Sequence, residues 1–292
     1  MSISESGRSN KKAYGSFTLL IFCCLALLPI GTLPPAEAQS NSTIDDKLQA
    51  IIDETREEFS TVGVAMGIRV PGRGTWSVSS GLNDVENEMP LSPDHLFRVG
   101  SITKTFTATT ILLLAEDGII NIEDTVEHWL PGLVPNGADI TIRHLLNHTS
   151  GIYNYTNDSS FFESIFSEFD KVWGREEIVA LGTAHDPDFE PGTRWNYSNT
   201  GYHLLGMVVE SATGTTLIEQ IRTRLLDPIE LHNTFLPFDE EVRGEIAHGY
   251  YRLNGQFTDT HDASYTALAT ASWSAGAIVS TVGDLVRCAD YR

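Results

Sequence analysis

Cysteine is scarce: the 292 residues hold three, and Cys23 and Cys24 sit together in an apolar leader, so only Cys288 follows it. That excludes a disulfide scaffold. Positive charge is scarce too. Nineteen Lys and Arg stand against 39 Asp and Glu, a formal net charge of −20. Neutralising a phosphate backbone takes clustered Lys and Arg, so this balance argues against a nucleic-acid partner. The same sign argues against docking on anionic lipid. No G-x-G-x-x-G or P-loop run appears, so no nucleotide is implied. No serine lies within G-x-S-x-G, which disfavours an α/β-hydrolase elbow. His144 and His148 are four apart, a spacing that suits zinc, but Leu145 stands where H-E-x-x-H needs Glu. No metal and no cofactor are expected.

What is present starts with the leader. Arg8, Lys11 and Lys12 precede an apolar run from Phe17 to Ile30, and Ala36-Glu37-Ala38 offers small residues where a signal peptidase reads. A spanning helix needs about 20 apolar residues, and Pro29, Pro34 and Pro35 cut this run short. Residues 1–38 therefore read as a signal peptide cleaved near Ala38. The expected location is periplasmic or extracellular, with no stable membrane anchor. Residues 39–292 read as one domain, since 41% hydrophobic and 20% charged residues can bury a sizeable core. Lys47, Lys104 and Lys171 are the lysines of that stretch.

Apolar periodicity and a Thr43/Asp46 capping box predict a helix over 43–60. Alternation predicts a strand over 62–70, a turn at Pro71–Gly74, and a return strand over 75–80. Residues 101–117 are apolar nearly all round and predict a buried central helix ended by Gly118. Helical pieces follow at 141–147, 161–168, 175–183, 200–213 and 215–226, and residues 281–292 read as a final helix.

Ser101-Ile102-Thr103-Lys104 opens the buried helix, so Ser101 and Lys104 lie one turn apart on one face. A serine hydroxyl needs a base to become a nucleophile. A lysine serves as that base only when neutral, and burial and a helix N-terminus both disfavour its ammonium form. The bland alternative is a capping serine followed by a solvated lysine. Tyr197-Ser198-Asn199 precedes another helix. A tyrosine near such a lysine can relay a proton, and an Asn amide can hold a substrate carbonyl. The bland alternative there is an ordinary loop tyrosine and a capping Asn.

Taken in order, five segments resemble the serine β-lactamase and penicillin-binding protein superfamily, in the branch of class C β-lactamases, D-alanyl-D-alanine carboxypeptidases and related esterases. They are Phe97–Thr107 around Ser101, Gly118–Asp124, Ile140–Gly151, Pro191–Tyr202 around Tyr197-Ser198-Asn199, and Ser274–Thr281 with Asp284-Leu285. The resemblance implies an α/β fold of the α+β type: an antiparallel sheet flanked by helices, beside an all-helical lobe. It implies Ser101 as acylated nucleophile, Lys104 as base and Tyr197 as second proton shuttle. Asn199 becomes a substrate-amide ligand and Trp273 an aromatic lining the cleft. The substrate implied is a small-molecule or peptide acyl compound, foremost a D-alanyl-D-alanine peptide, with esters and β-lactams as alternatives. The family's His/Lys-x-Gly motif, on a later strand, is not found. The sequence therefore reads as C-terminally truncated, with the last sheet strands missing. A second reading follows: a fragment that binds acyl compounds without turning them over.

Overall fold

The computed structural model describes residues 43–253, 256–260 and 265–290; the expected signal peptide lies outside them. The chain begins with α1 (Ile44–Phe59), whose capping box is formed: Thr43 accepts from the Asp46 N–H, and Asp46 accepts from the Thr43 N–H. Then come β1 (Gly63–Val70) and β2 (Gly74–Asp84), paired antiparallel from Gly63↔Gly81 to Val70↔Gly74. β3 (Met89–Pro90) pairs with the far edge of β2. Among the described residues β2 is the one strand neighbour of β1. β4 (Phe97–Arg98) leads through a 3-10 turn, Gly100–Ile102, into α2 (Thr103–Glu116).

Five helices follow: α3 (Val126–Trp129), α4 (Ile142–Leu146), α5 (Ser159–Ser167), α6 (Arg175–Thr183) and α7 (Asn199–Thr213). α8 (Leu217–Ile221) runs on into a π turn at Arg222–Leu226. The chain then forms β5 (Thr234–Phe235) and the hairpin β6 (Tyr250–Leu253) and β7 (Gln256–Asp259). It ends with α9 (Tyr265–Gly276), β8 (Val279–Ser280) and α10 (Val282–Asp290). β8 lies between β4 and β5, antiparallel to both. The fold is thus mixed, with antiparallel sheets and packed helices, as the resemblance implies. No helix among the described residues is long and apolar enough to cross a membrane.

The sequence reading needs one correction here. α2 is not buried all round: Leu112 is 52% exposed, while Thr103, Thr107 and Thr110 are fully buried. Their hydroxyls explain this. Thr107 donates to the Ser274 carbonyl, Thr110 donates to the Phe106 carbonyl, and Thr103 Oγ1 accepts from the Ile278 N–H. A satisfied hydroxyl costs little to bury, so these threonines share the inner face with Phe106, Ile111 and Leu114, and Leu112 is left outside. The central helix is α7, buried at every position from Thr200 to Val209. Its Leu204, Leu205 and Val208 join Phe106, Ile111 and Leu114 of α2 in the main core. α2 is thereby clamped against α7 with its first turn open to solvent at Ser101.

Candidate active site

Gly100 places the nucleophile candidate. Its φ of +53° is a left-handed conformation that glycine adopts without a Cβ penalty. The chain turns there out of β4 and presents Ser101 at the mouth of α2. Lys104 sits one turn on and is 6% exposed. Its Nζ has three oxygen neighbours: the Ala275 carbonyl at 2.6 Å, Asn199 Oδ1 at 2.7 Å and Ser101 Oγ at 3.3 Å. The Tyr197 hydroxyl donates to Ser101 Oγ from another side, at 2.7 Å. Four residues expected from sequence, Ser101, Lys104, Tyr197 and Asn199, therefore meet in one place, brought together from the starts of α2 and α7.

Their electrostatics differ in sign. Burial pushes the Lys104 ammonium down to about 7, so much of it is neutral near neutral pH. Burial pushes the Tyr197 phenol up, outweighing its bond to Ser101, so it stays protonated. A neutral amine and an intact phenol on one hydroxyl can act as a base and an acid. As a neutral amine, Lys104 keeps two N–H groups for Ala275 and Asn199, and its lone pair faces Ser101.

The Asn199 amide is held at both ends. Its Nδ2 donates to Asn154 Oδ1 at 3.2 Å and to Thr156 Oγ1 at 3.1 Å, which leaves Oδ1 for Lys104. Both ends of the amide bond to protein, so Asn199 holds the lysine at the edge of the cavity beside Ser101.

Trp273 requires a plain correction. It does not line the cleft: it is 4% exposed, with Nε1 donating to Asp239 and the Arg175 guanidinium over its ring. A cavity of about 290 Å³ does open beside Ser101, lined by Arg98, Thr156, Asn199, Tyr265, Leu268 and Ser272 among others. The aromatics lining it are Tyr155 and Tyr265, and Tyr265 carries Arg98 over its ring at 4.3 Å.

His144 and His148 bond to the backbone. His144 Nδ1 accepts from the Thr141 N–H and His148 Nδ1 accepts from the Ser198 N–H. His148 also packs against the Tyr197 and Tyr202 rings. Sequence reasoning singled out His148 only in weighing zinc, and it missed Asn154, Thr156 and the Ala275 carbonyl. A backbone carbonyl has no side-chain signature, and only the Asn147-His148-Thr149-Ser150-Gly151 run hinted at the histidine.

Burial, with Lys104 nearby, holds His148 and His203 down to about 4, from an ordinary 6.5. Between these values the unfolded chain binds protons that the folded chain refuses, so stability falls as pH drops from 6.5 to 4. Scanning calorimetry should show Tm falling over that window, and less steeply in His203→Gln. A Tm unchanged from pH 6.5 to 4 would rule this out.

Comparison with known proteins places this geometry. The Beta-lactamase family profile matches residues 48–291. Penicillin-binding protein 4* of Bacillus subtilis (strain 168) is 37% identical over 190 residues, covering 64% of this chain and 40% of that protein. Penicillin-binding protein 4 of Amycolatopsis lactamdurans is 29% identical over 247 residues, covering 82% and 62%. The chain thus spans 40% and 62% of these two curated relatives. Among solved structures, a D-stereospecific amidohydrolase from Streptomyces sp. superposes with a TM-score of 0.73 at 34% identity, covering 83% of this chain and 71% of that one. D-amino acid amidase from Ochrobactrum anthropi SV3 gives 0.72 at 32%, covering 82% and 67%. With the family profile matched over most of its length, the chain belongs to the Beta-lactamase family, within the serine β-lactamase and penicillin-binding protein superfamily.

Proposed function

We propose that the protein is an exported serine hydrolase that works through an acyl-enzyme on Ser101. The observation that carries this reading is the seat of Lys104: two close acceptors hold Nζ while its remaining direction faces Ser101 Oγ at 3.3 Å. Ser101 Oγ attacks a substrate carbonyl as its proton passes to Lys104, forming the Oγ–C bond. The Ser101 N–H, in the first turn before α2, donates to the developing oxyanion. Collapse breaks the bond to the leaving group, which takes a proton from Tyr197; the proton on Lys104 restores the phenol. Water then cleaves the ester, releasing the acid and regenerating Ser101.

The substrate reading is a D-alanyl-D-alanine peptide of cell-wall precursors, supported by the two penicillin-binding relatives. The likeness to a D-amino acid amidase and a D-stereospecific amidohydrolase supports a second substrate, a D-amino-acid amide. Both present an acyl carbon beside a D-centre. The test is a panel with the purified chain: D-alanyl-D-alanine peptide, D-phenylalanine amide, a p-nitrophenyl ester and a chromogenic cephalosporin. The peptide is expected to give the highest kcat/KM. A higher value for the amide selects the second substrate. No acyl-enzyme by mass spectrometry with any of the four removes the proposal.

A further inference from the structure

Trp273 adopts a backbone that its residue type disfavours. Its φ of 30° and ψ of −119° interrupt α9, and a bulky residue keeps such a conformation only where its surroundings enforce it. Three contacts do so. Nε1 donates to Asp239 Oδ2 at 2.7 Å. The Arg175 guanidinium lies 4.0 Å from the ring centroid and is itself paired with Asp239 and Glu210. Gly206 of α7 lies so close that a Cβ there would stand 2.8 Å from Trp273 Cη2.

The turn redirects backbone carbonyls. In a continuous helix the Ala271 carbonyl would accept from the N–H four residues on. Here it accepts from the Tyr155 hydroxyl and from His203 Nε2, each at 2.7 Å. The Ser274 carbonyl accepts from Thr107 and the Ala275 carbonyl from Lys104. At 2.6 Å the Ala275 bond is the shortest of the three that Nζ makes.

We propose that Trp273 is a positioning residue: clamped by Asp239 and Arg175, it holds the strained turn that sets the Ala275 carbonyl on Lys104 and so keeps the amine facing Ser101. Its catalytic consequence rests on the serine-hydrolase reading. The titratable groups facing Lys104 are Tyr197 and Tyr202, with Nζ 4.8 and 5.3 Å from their rings, and His148 and His203, which feel its charge. All four are neutral near pH 7, so acceptor geometry, rather than a neighbouring charge, fixes the amine.

The experiment uses the whole chain and three variants. Trp273→Ala removes every anchor while leaving a strained Cβ, so the turn relaxes. Trp273→Phe keeps the ring under Arg175. Gly206→Ala would place a Cβ 2.8 Å from Trp273 Cη2 and 2.8 Å from Ser274 Cβ and Oγ, and so crowds the turn at both residues. Trp273→Ala and Gly206→Ala are each expected to lower kcat for p-nitrophenyl acetate about tenfold or more at near-constant KM, as misplacement of a reacting group does. Trp273→Phe should retain most activity. The Lys104 titration, followed by NMR of the labelled side chain, should shift downward in Gly206→Ala, because a lost acceptor disfavours the ammonium form. If Trp273→Ala does not fold, Gly206→Ala decides. A folded Gly206→Ala protein with wild-type kcat and an unmoved Lys104 titration overturns the proposal, as does a loss confined to KM. If the wild-type chain is never acylated at Ser101, the hydrolase reading fails, and the Lys104 titration alone decides the role of Trp273.

Discussion

Ser101→Ala is expected to abolish labelling by a fluorescent fluorophosphonate or penicillin and to lower ester turnover by at least about 10³-fold. The change should leave the fold intact. Ser101 is exposed, and its Oγ bonds only to Tyr197 and Lys104. Lys104 keeps its two shorter contacts to Ala275 and Asn199 when that oxygen is gone. Other serines offer little competition. Ser150, Ser198 and Ser274 are at most 2% exposed. Ser198 caps α7 through the Gly201 N–H, and Ser274 donates to the Tyr202 carbonyl. Peptide mapping of the labelled wild type should therefore find one adduct, on Ser101. An adduct on a different serine, or undiminished labelling of Ser101→Ala, would remove Ser101 from the reaction.

What could be read from the sequence was what short-range chemistry encodes. α1 was legible because Thr43 and Asp46 are three apart and bond reciprocally, and β1–β2 because Pro71-Gly72-Arg73-Gly74 forces a turn between two alternating runs. The meeting of Ser101, Lys104, Tyr197 and Asn199 was legible through the order of motif segments, although the Lys104–Asn199 bond spans 95 positions. The facing of α2 was not, because the hydroxyls of Thr103 and Thr107 reach their partners at Ile278 and Ser274 only in the folded chain. Nor was the turn at Trp273, since no local preference puts tryptophan at positive φ; Asp239, 34 residues away, helps hold it.

Lys104→Arg is expected to lower the acylation rate by at least about 10²-fold, the lower end for loss of a general base. The argument rests on where the proton resides. Burial brings the Lys104 ammonium down to about 7, far from its ordinary 10.5. Wild-type acylation should therefore rise with pH through about 7 and level off above it, following the neutral amine. A guanidinium stays protonated throughout that range, so the variant keeps the charge and loses the lone pair. It should also lose the pH-dependent limb, which a merely misplaced lysine would retain. Stability gives the control. The folded chain refuses a proton on Lys104 that the unfolded chain keeps between about 7 and 10.5, so wild-type stability gains over that window as pH rises. Arginine, charged in both states, should flatten that gain. Stopped-flow acylation over about pH 5–9 and thermal unfolding over about pH 6–10.5 read the two effects. A folded Lys104→Arg protein that acylates at the wild-type rate with the wild-type pH profile would leave Lys104 a structural residue and send the search for the base to another group.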